Sequence, residues 1–254
     1  MTNLVAALYS TLTYLFFLAT FLYAIGFVQN LAVPKSIDSG SSGDLIGSLL
    51  INAALLTVFA LQHSVMARPR FKRAWTRVVP QPVERSTYVL FASLALALLF
   101  WQWRPLPQTV WFIDDPASAA LVRGMSWAGW SLVLLSTFLI SHFHLFGLSQ
   151  GFARLLRRHQ PDLEFATPSL YRWLRHPIYA GFILAFWAAP HMTAGHLLFA
   201  VATTGYILVG IWLEERDLVA HFGDRYRLYR ESVGMLLPKI RVSRYPHKAR
   251  VTEP

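Results

Sequence analysis

The polar positions of this chain are unevenly spread, and their gaps define its elements. No Lys, Arg, Asp or Glu occurs in five stretches: Leu4 to Val33, Leu45 to Ala67, Ser86 to Trp103, Gly124 to Ser141 and Pro177 to Leu213. A helix crossing a bilayer needs about 20 apolar residues, so each of the first four stretches supplies roughly one span. The fifth is too long for one helix and is interrupted by Pro190, with Gly195 following. It reads as a hairpin, with a short helix from Pro177 to Ala189 and a return from Gly195 to Leu213. The expected fold is an all-α, polytopic transmembrane bundle of five to six membrane segments. It forms one domain over residues 1–254.

Composition supports the pattern: 55% of the 254 residues are hydrophobic and only 14% charged, against roughly 25% charged in soluble domains. The net charge of +10 raises nucleic acid as a partner, and its distribution argues against it. If the segments cross in turn, the loops Ala67 to Arg85 and Phe143 to Arg175 and the tail from Glu214 hold 20 of the 23 Lys and Arg, all on one side. Lys35, Arg104 and Arg123 fall to the other face with Asp114 and Asp115. This positive-inside asymmetry predicts both termini in the cytoplasm and basic runs that face lipid headgroups. No basic region precedes the first apolar stretch, so that stretch is expected to remain as a helix. With no cysteine, disulfides, thiolate metal sites and a cysteine nucleophile are excluded.

Polar groups at span ends carry the candidate chemistry. Gln62-His63-Ser64 closes the second segment, and Ser141-His142-Phe143-His144 closes the fourth. Two histidines two positions apart point some 200° apart on a helix, so they do not make a metal-binding face and no metal is expected. The densest stretch is Tyr171 to Gly181. Pro177 suits a first helical turn, with His176 at its cap and Tyr179 one turn along. The hairpin would return Glu214 and Glu215 to the depth of His176, where a His, a Tyr, two Glu and free helix N-terminal amides converge. Such a place suits a zwitterionic, partly apolar ligand or, alternatively, a purely structural clamp.

Arg175-His176-Pro177-Ile178-Tyr179-Ala180-Gly181, Glu214-Glu215 and Phe222-Gly223-Asp224-Arg225-Tyr226-Arg227-Leu228-Tyr229 together resemble the isoprenylcysteine carboxyl methyltransferase superfamily. The resemblance implies S-adenosylmethionine as cofactor, bound by the C-terminal part, about 143–238. It assigns contacts to Tyr171, His176, Pro177, Tyr179 and Glu214, with Phe165 and Ala166 contributing backbone. The blocks around Gln62 to Pro69, Glu84 to Tyr88, Trp101 to Pro105 and His142 to Leu148 are similar to one branch, the membrane-bound methanethiol S-methyltransferases. Carboxyl methyltransferases of prenylated proteins resemble one another in an arginine about one turn before the glutamate. Val209 to Leu213 offers none, which speaks against a carboxylate acceptor.

The implied reaction is methylation of a small volatile thiol to a thioether such as dimethyl sulfide. A thiol is mostly protonated at neutral pH, so a base is required, and histidine suits it. His142 or His144 is the expected base, with His63 and Tyr88 as alternates and Arg68 and Arg85 favouring the anion. The competing readings are another acceptor, prenylcysteine carboxylate or a lipid amine, and a haem-associated membrane protein of nitrogen-oxide metabolism. The expected location is the bacterial inner membrane.

Overall fold

The computed structural model describes residues 2–41, 43–153, 155–156 and 167–239. Its long helices are α1 (Asn3–Gln29), α2 (Leu45–Ala67), α4 (Gln81–Gln102), α5 (Pro116–Ile140) and α9 (Ala194–Phe222). The shorter helices are α3 (Pro69–Trp75), α6 (His142–Leu145), α7 (Leu148–Ala153), α8 (Pro177–Trp187) and α10 (Asp224–Ser232). Helices α1, α2, α4 and α9 are long and apolar enough to cross a membrane, and α8 is a shorter apolar helix. The chain is an integral membrane protein with an all-α, polytopic architecture.

Helix starts follow local chemistry. Thr2, Asp44, Asp115 and Thr193 each accept a hydrogen bond from an amide three residues on, capping α1, α2, α5 and α9, while α3, α4 and α8 open with proline in the first turn. The expected hairpin is present, with different bounds. α8 ends at Trp187 rather than Ala189, because the chain leaves the helix at Ala188 and His191–Thr193 (β2) pairs antiparallel with Thr109–Phe112 (β1). α9 runs on to Phe222, well past the end of the charge-free stretch at Leu213. At 29 residues it is about 43 Å long, more than a bilayer core requires.

Two polar faces lie at opposite ends. At the strand end, Asp38 accepts hydrogen bonds from Thr193 and Asn30, and Asn52 clasps the backbone of Arg104. Beneath this end lies an apolar core that includes Phe27, Leu99, Phe100, Trp103, Trp130, Phe186 and Phe199. At the other end, the basic face, stand the histidines and glutamates singled out above.

The α5–α8 contact is the tightest of the helix pairs. A Cβ on Gly129 would lie 2.6 Å from the Ala185 nitrogen, and one on Gly181 would lie 2.7 Å from the Gly129 carbonyl. Only glycine lets the two backbones approach so closely, as small residues do between membrane helices. The N-terminal turn of α8 is thereby fixed against the bundle.

Candidate active site

Position 176 is held from three directions. The amides of Arg175 and His176 donate to the carbonyls of Gly234 and Met235 at 2.8 and 3.1 Å, tying the start of α8 to the segment after α10. From α10 the Tyr229 hydroxyl donates to the Tyr171 carbonyl. From α9 comes Glu215, whose Oε1 accepts from Arg175 Nε at 2.7 Å and His176 Nε2 at 3.1 Å. The Arg175, His176 and Glu215 side chains are 8%, 4% and 11% exposed, so this is a buried ionic cluster.

Glu214 plays a different part. Consecutive helical residues point about 100° apart, so Glu214 turns away from that cluster. It is 43% exposed, accepts from the Tyr179 hydroxyl at 3.0 Å, and lies 3.9 Å from His176 Nδ1. The sequence pairs His176 with Glu214, whereas the shorter contact is to Glu215, which was not among the expected cofactor residues. The repeated acid was the only available signal, because helix rotation decides which of two neighbouring acids turns inward. On the opposite side of α9, an open cleft lined by Trp212, Glu215, Arg216, Val219 and Arg230 reaches the same buried carboxylate.

Tyr171 completes this half. Its hydroxyl is buried without a hydrogen-bond partner among the described residues. Burial, with the Glu214 carboxylate nearby, pushes its phenol well above the usual range, so it remains a donor. A buried donor without an acceptor is costly, and one facing a half-exposed carboxylate suits a polar ligand. Pro177 is buried behind His176. Phe165 and Ala166 lie outside the described residues.

Helices α2 and α4 present a second group. The Tyr88 hydroxyl lies 2.9 Å from His63 Nε2 and 3.1 Å from Nδ1. The His63 ring stacks on Phe59 and meets the edge of Tyr206 from α9, whose hydroxyl is 3.2 Å from Ser64 Oγ. Arg85 lies over the Tyr88 ring at 5.2 Å, and Arg68 pairs with Asp217 at 3.0 Å. Tyr206 of this group and Glu214 of the first both belong to α9, which carries the two groups on one helix.

The remaining histidines differ sharply from each other. Thr137 donates its hydroxyl proton to the Leu134 carbonyl, so it accepts from His142 Nδ1 at 2.8 Å. His142 Nε2 then accepts from the Tyr14 hydroxyl at 2.8 Å. Both ring nitrogens are committed, and the ring stacks on Phe138. The His144 ring has no hydrogen-bond partner among the described residues and lies near Arg85.

Burial holds both imidazoles below their ordinary pKa, aided at His144 by the Arg85 guanidinium. A histidine whose folded pKa is depressed binds fewer protons than in the unfolded chain. Stability is therefore present above the unfolded value of about 6.5 and falls as pH drops through that value toward the folded one. The melting temperature in detergent should decline from pH 7 to pH 5, and His144→Gln should shallow the decline. A flat wild-type profile would contradict the assignment.

Comparison with known proteins is decisive about kinship. The chain is 58% identical to methanethiol S-methyltransferase 1 of Bradyrhizobium diazoefficiens, over 92% of its own length and 82% of that protein's. It is 51% identical to methanethiol S-methyltransferase of Mycobacterium tuberculosis, over 95% and 96% of the two chains. The Crocosphaera subtropica methanethiol S-methyltransferase is 52% identical over 92% and 91%. The chain belongs to the methanethiol S-methyltransferase family. No family model matches the chain, and no solved structure does. Matches of this extent take in both halves of the site, so the methanethiol S-methyltransferase kinship covers the α2–α4 group as well as the α8–α10 motif.

Proposed function

We propose that the chain methylates methanethiol to dimethyl sulfide, using S-adenosylmethionine and releasing S-adenosylhomocysteine. What supports the reading, beside the family, is the presence of two unlike polar groups linked by α9: Tyr171, His176, Tyr179 and Glu214 form one wall, and His63, Tyr88 and Tyr206 the other.

The first wall suits the cofactor. The unpaired Tyr171 hydroxyl and the half-exposed Glu214 carboxylate offer one donor and one acceptor. The amides at the start of α8 face an anion well, and His176 and Pro177 shape the floor. When bound, S-adenosylmethionine supplies an electrophilic methyl group on a sulfonium centre.

The second wall prepares the thiol. Aromatic rings make favourable contacts with sulfur. The Tyr88 oxygen takes the thiol proton as its own passes to His63 Nε2, 2.9 Å away. Arg85 over the Tyr88 ring favours the negative charge that forms. A donor held by the first wall would give its methyl group to the thiolate sulfur and leave as the neutral thioether. The proton rests on His63, and both products are neutral at sulfur. Alignment of the two sulfurs is the main contribution of the protein.

His63 is favoured over His142, whose nitrogens are both occupied, and over His144, which bonds no tyrosine among the described residues. Expressing cells fed methanethiol should release dimethyl sulfide into the headspace. His63→Ala and Tyr88→Phe should reduce turnover by about 100-fold or more, and His142→Ala and His144→Ala by less. Wild-type turnover in His63→Ala with cofactor binding intact would move the base elsewhere. The basic loops argue for the bacterial inner membrane, with both termini and the cofactor wall cytoplasmic. A membrane setting also suits a volatile, apolar substrate that dissolves in lipid.

A further inference from the structure

Helix α9 meets α2 sparingly along the membrane, and two side-chain links bridge the seam: Ser64 to Tyr206 and Arg68 to Asp217. Tyr206 sits eight residues before Glu214, so it lies about 12 Å deeper along the helix axis. Between them, on the same face, is Gly210. Nothing lies within 4 Å of the position its Cβ would occupy. Open space thus runs along this face of α9 from Glu214 at the basic face to Tyr206 at the deep end, beside α2, which Tyr206 and Asp217 bond. Around its deep end the Tyr206 ring meets Phe59 at 6.0 Å and His63 at 6.4 Å.

We propose that Tyr206 sets the size of the acceptor thiol by closing the deep end of this space against the lipid. The inference rests on the thiol-methylating function proposed above. A thiol held with its sulfur at Tyr88 points its alkyl group toward the Tyr206 ring. A methyl group fits before that ring, and each added methylene presses on it. The Ser64 hydroxyl keeps the ring across the seam by bonding the phenol oxygen. With the ring gone, the space opens between α2 and α9 toward the hydrocarbon, and a longer alkyl chain can lie along the seam.

The alternative is a plain cross-brace between helices, and relative rates separate the two. A lost brace lowers methylation of all thiols alike, whereas a lost wall changes their ranking. The measurement is kcat/KM for methanethiol, ethanethiol and butanethiol with purified protein, alongside calorimetric binding of S-adenosylmethionine. Tyr206→Ala should raise the butanethiol-to-methanethiol ratio by about tenfold or more, within the range a few methylenes command. Tyr206→Phe, which keeps the ring, should leave the ratio within about twofold. Gly210→Val, which fills the space, should lower it.

An unchanged ratio in Tyr206→Ala that still binds cofactor overturns the proposal. Should that variant fail to fold, Phe59→Ala probes the facing ring by the same ratio, and an unchanged ratio there overturns it equally. A wild-type protein that binds S-adenosylmethionine but methylates no thiol would sink the proposed function itself, a result distinct from a shifted or unshifted ratio.

Discussion

Glu215→Ala is expected to destabilise the protein by about 3–5 kcal/mol and to abolish methyl transfer. The reason is burial without compensation. Glu215 neutralises the Arg175 guanidinium at 2.7 Å and bonds His176 at 3.1 Å, with all three side chains almost wholly shielded. Removing one member of such a cluster leaves a buried charge unpaired, which costs far more than a surface ion pair is worth. Because Arg175 also donates to the carbonyls of Arg230 and Val233, its release would loosen α10 together with the start of α8. Thermal unfolding in detergent measures the loss. Glu215→Gln keeps an acceptor for Arg175 and should fall between the two. A melting temperature in Glu215→Ala equal to wild type would show that the cluster contributes nothing.

The adjacent substitution should behave in the opposite way. Glu214→Gln is expected to leave the melting temperature nearly unchanged while weakening S-adenosylmethionine binding roughly 10- to 100-fold, the worth of a hydrogen bond to a charged group. Glu214 is half-exposed, and its one short contact is the Tyr179 hydroxyl, which an amide oxygen can still accept. Calorimetric titration of detergent-solubilised protein reads the affinity directly. If Glu214→Gln binds the cofactor as wild type does but melts at a clearly lower temperature, the roles given to the two acids are reversed.

That pair also marks where a sequence stops being informative. The spans were legible because membrane burial excludes charge. The charge-free stretch Leu45 to Ala67 coincides with α2, and the Pro190 interruption foretells the α8–α9 hairpin. The meeting of His176 with the acids of α9 follows from the same hairpin. What could not be read was rotation. Glu214 and Glu215 are chemically identical, and a turn of about 100° decides which one is buried and which is half-exposed. The same holds for the histidines. His142 and His144 look like equivalent bases in sequence, yet partners distant in the chain decide between them. Tyr14 occupies one nitrogen of His142, while the His144 ring stays free of hydrogen bonds among the described residues. His63 gains its position from Tyr88 and Tyr206, which lie 25 and 143 positions away, a convergence only the folded bundle creates.

The glycine contact between α5 and α8 has an evolutionary consequence. Any side chain at Gly129 or Gly181 forces the backbones apart and shifts the start of α8 that carries His176 and Tyr179. Helix α2 carries no such obligation toward α9. Its contacts with α9 run through side chains, so a residue such as Phe59 can change while the α5–α8 contact stays intact.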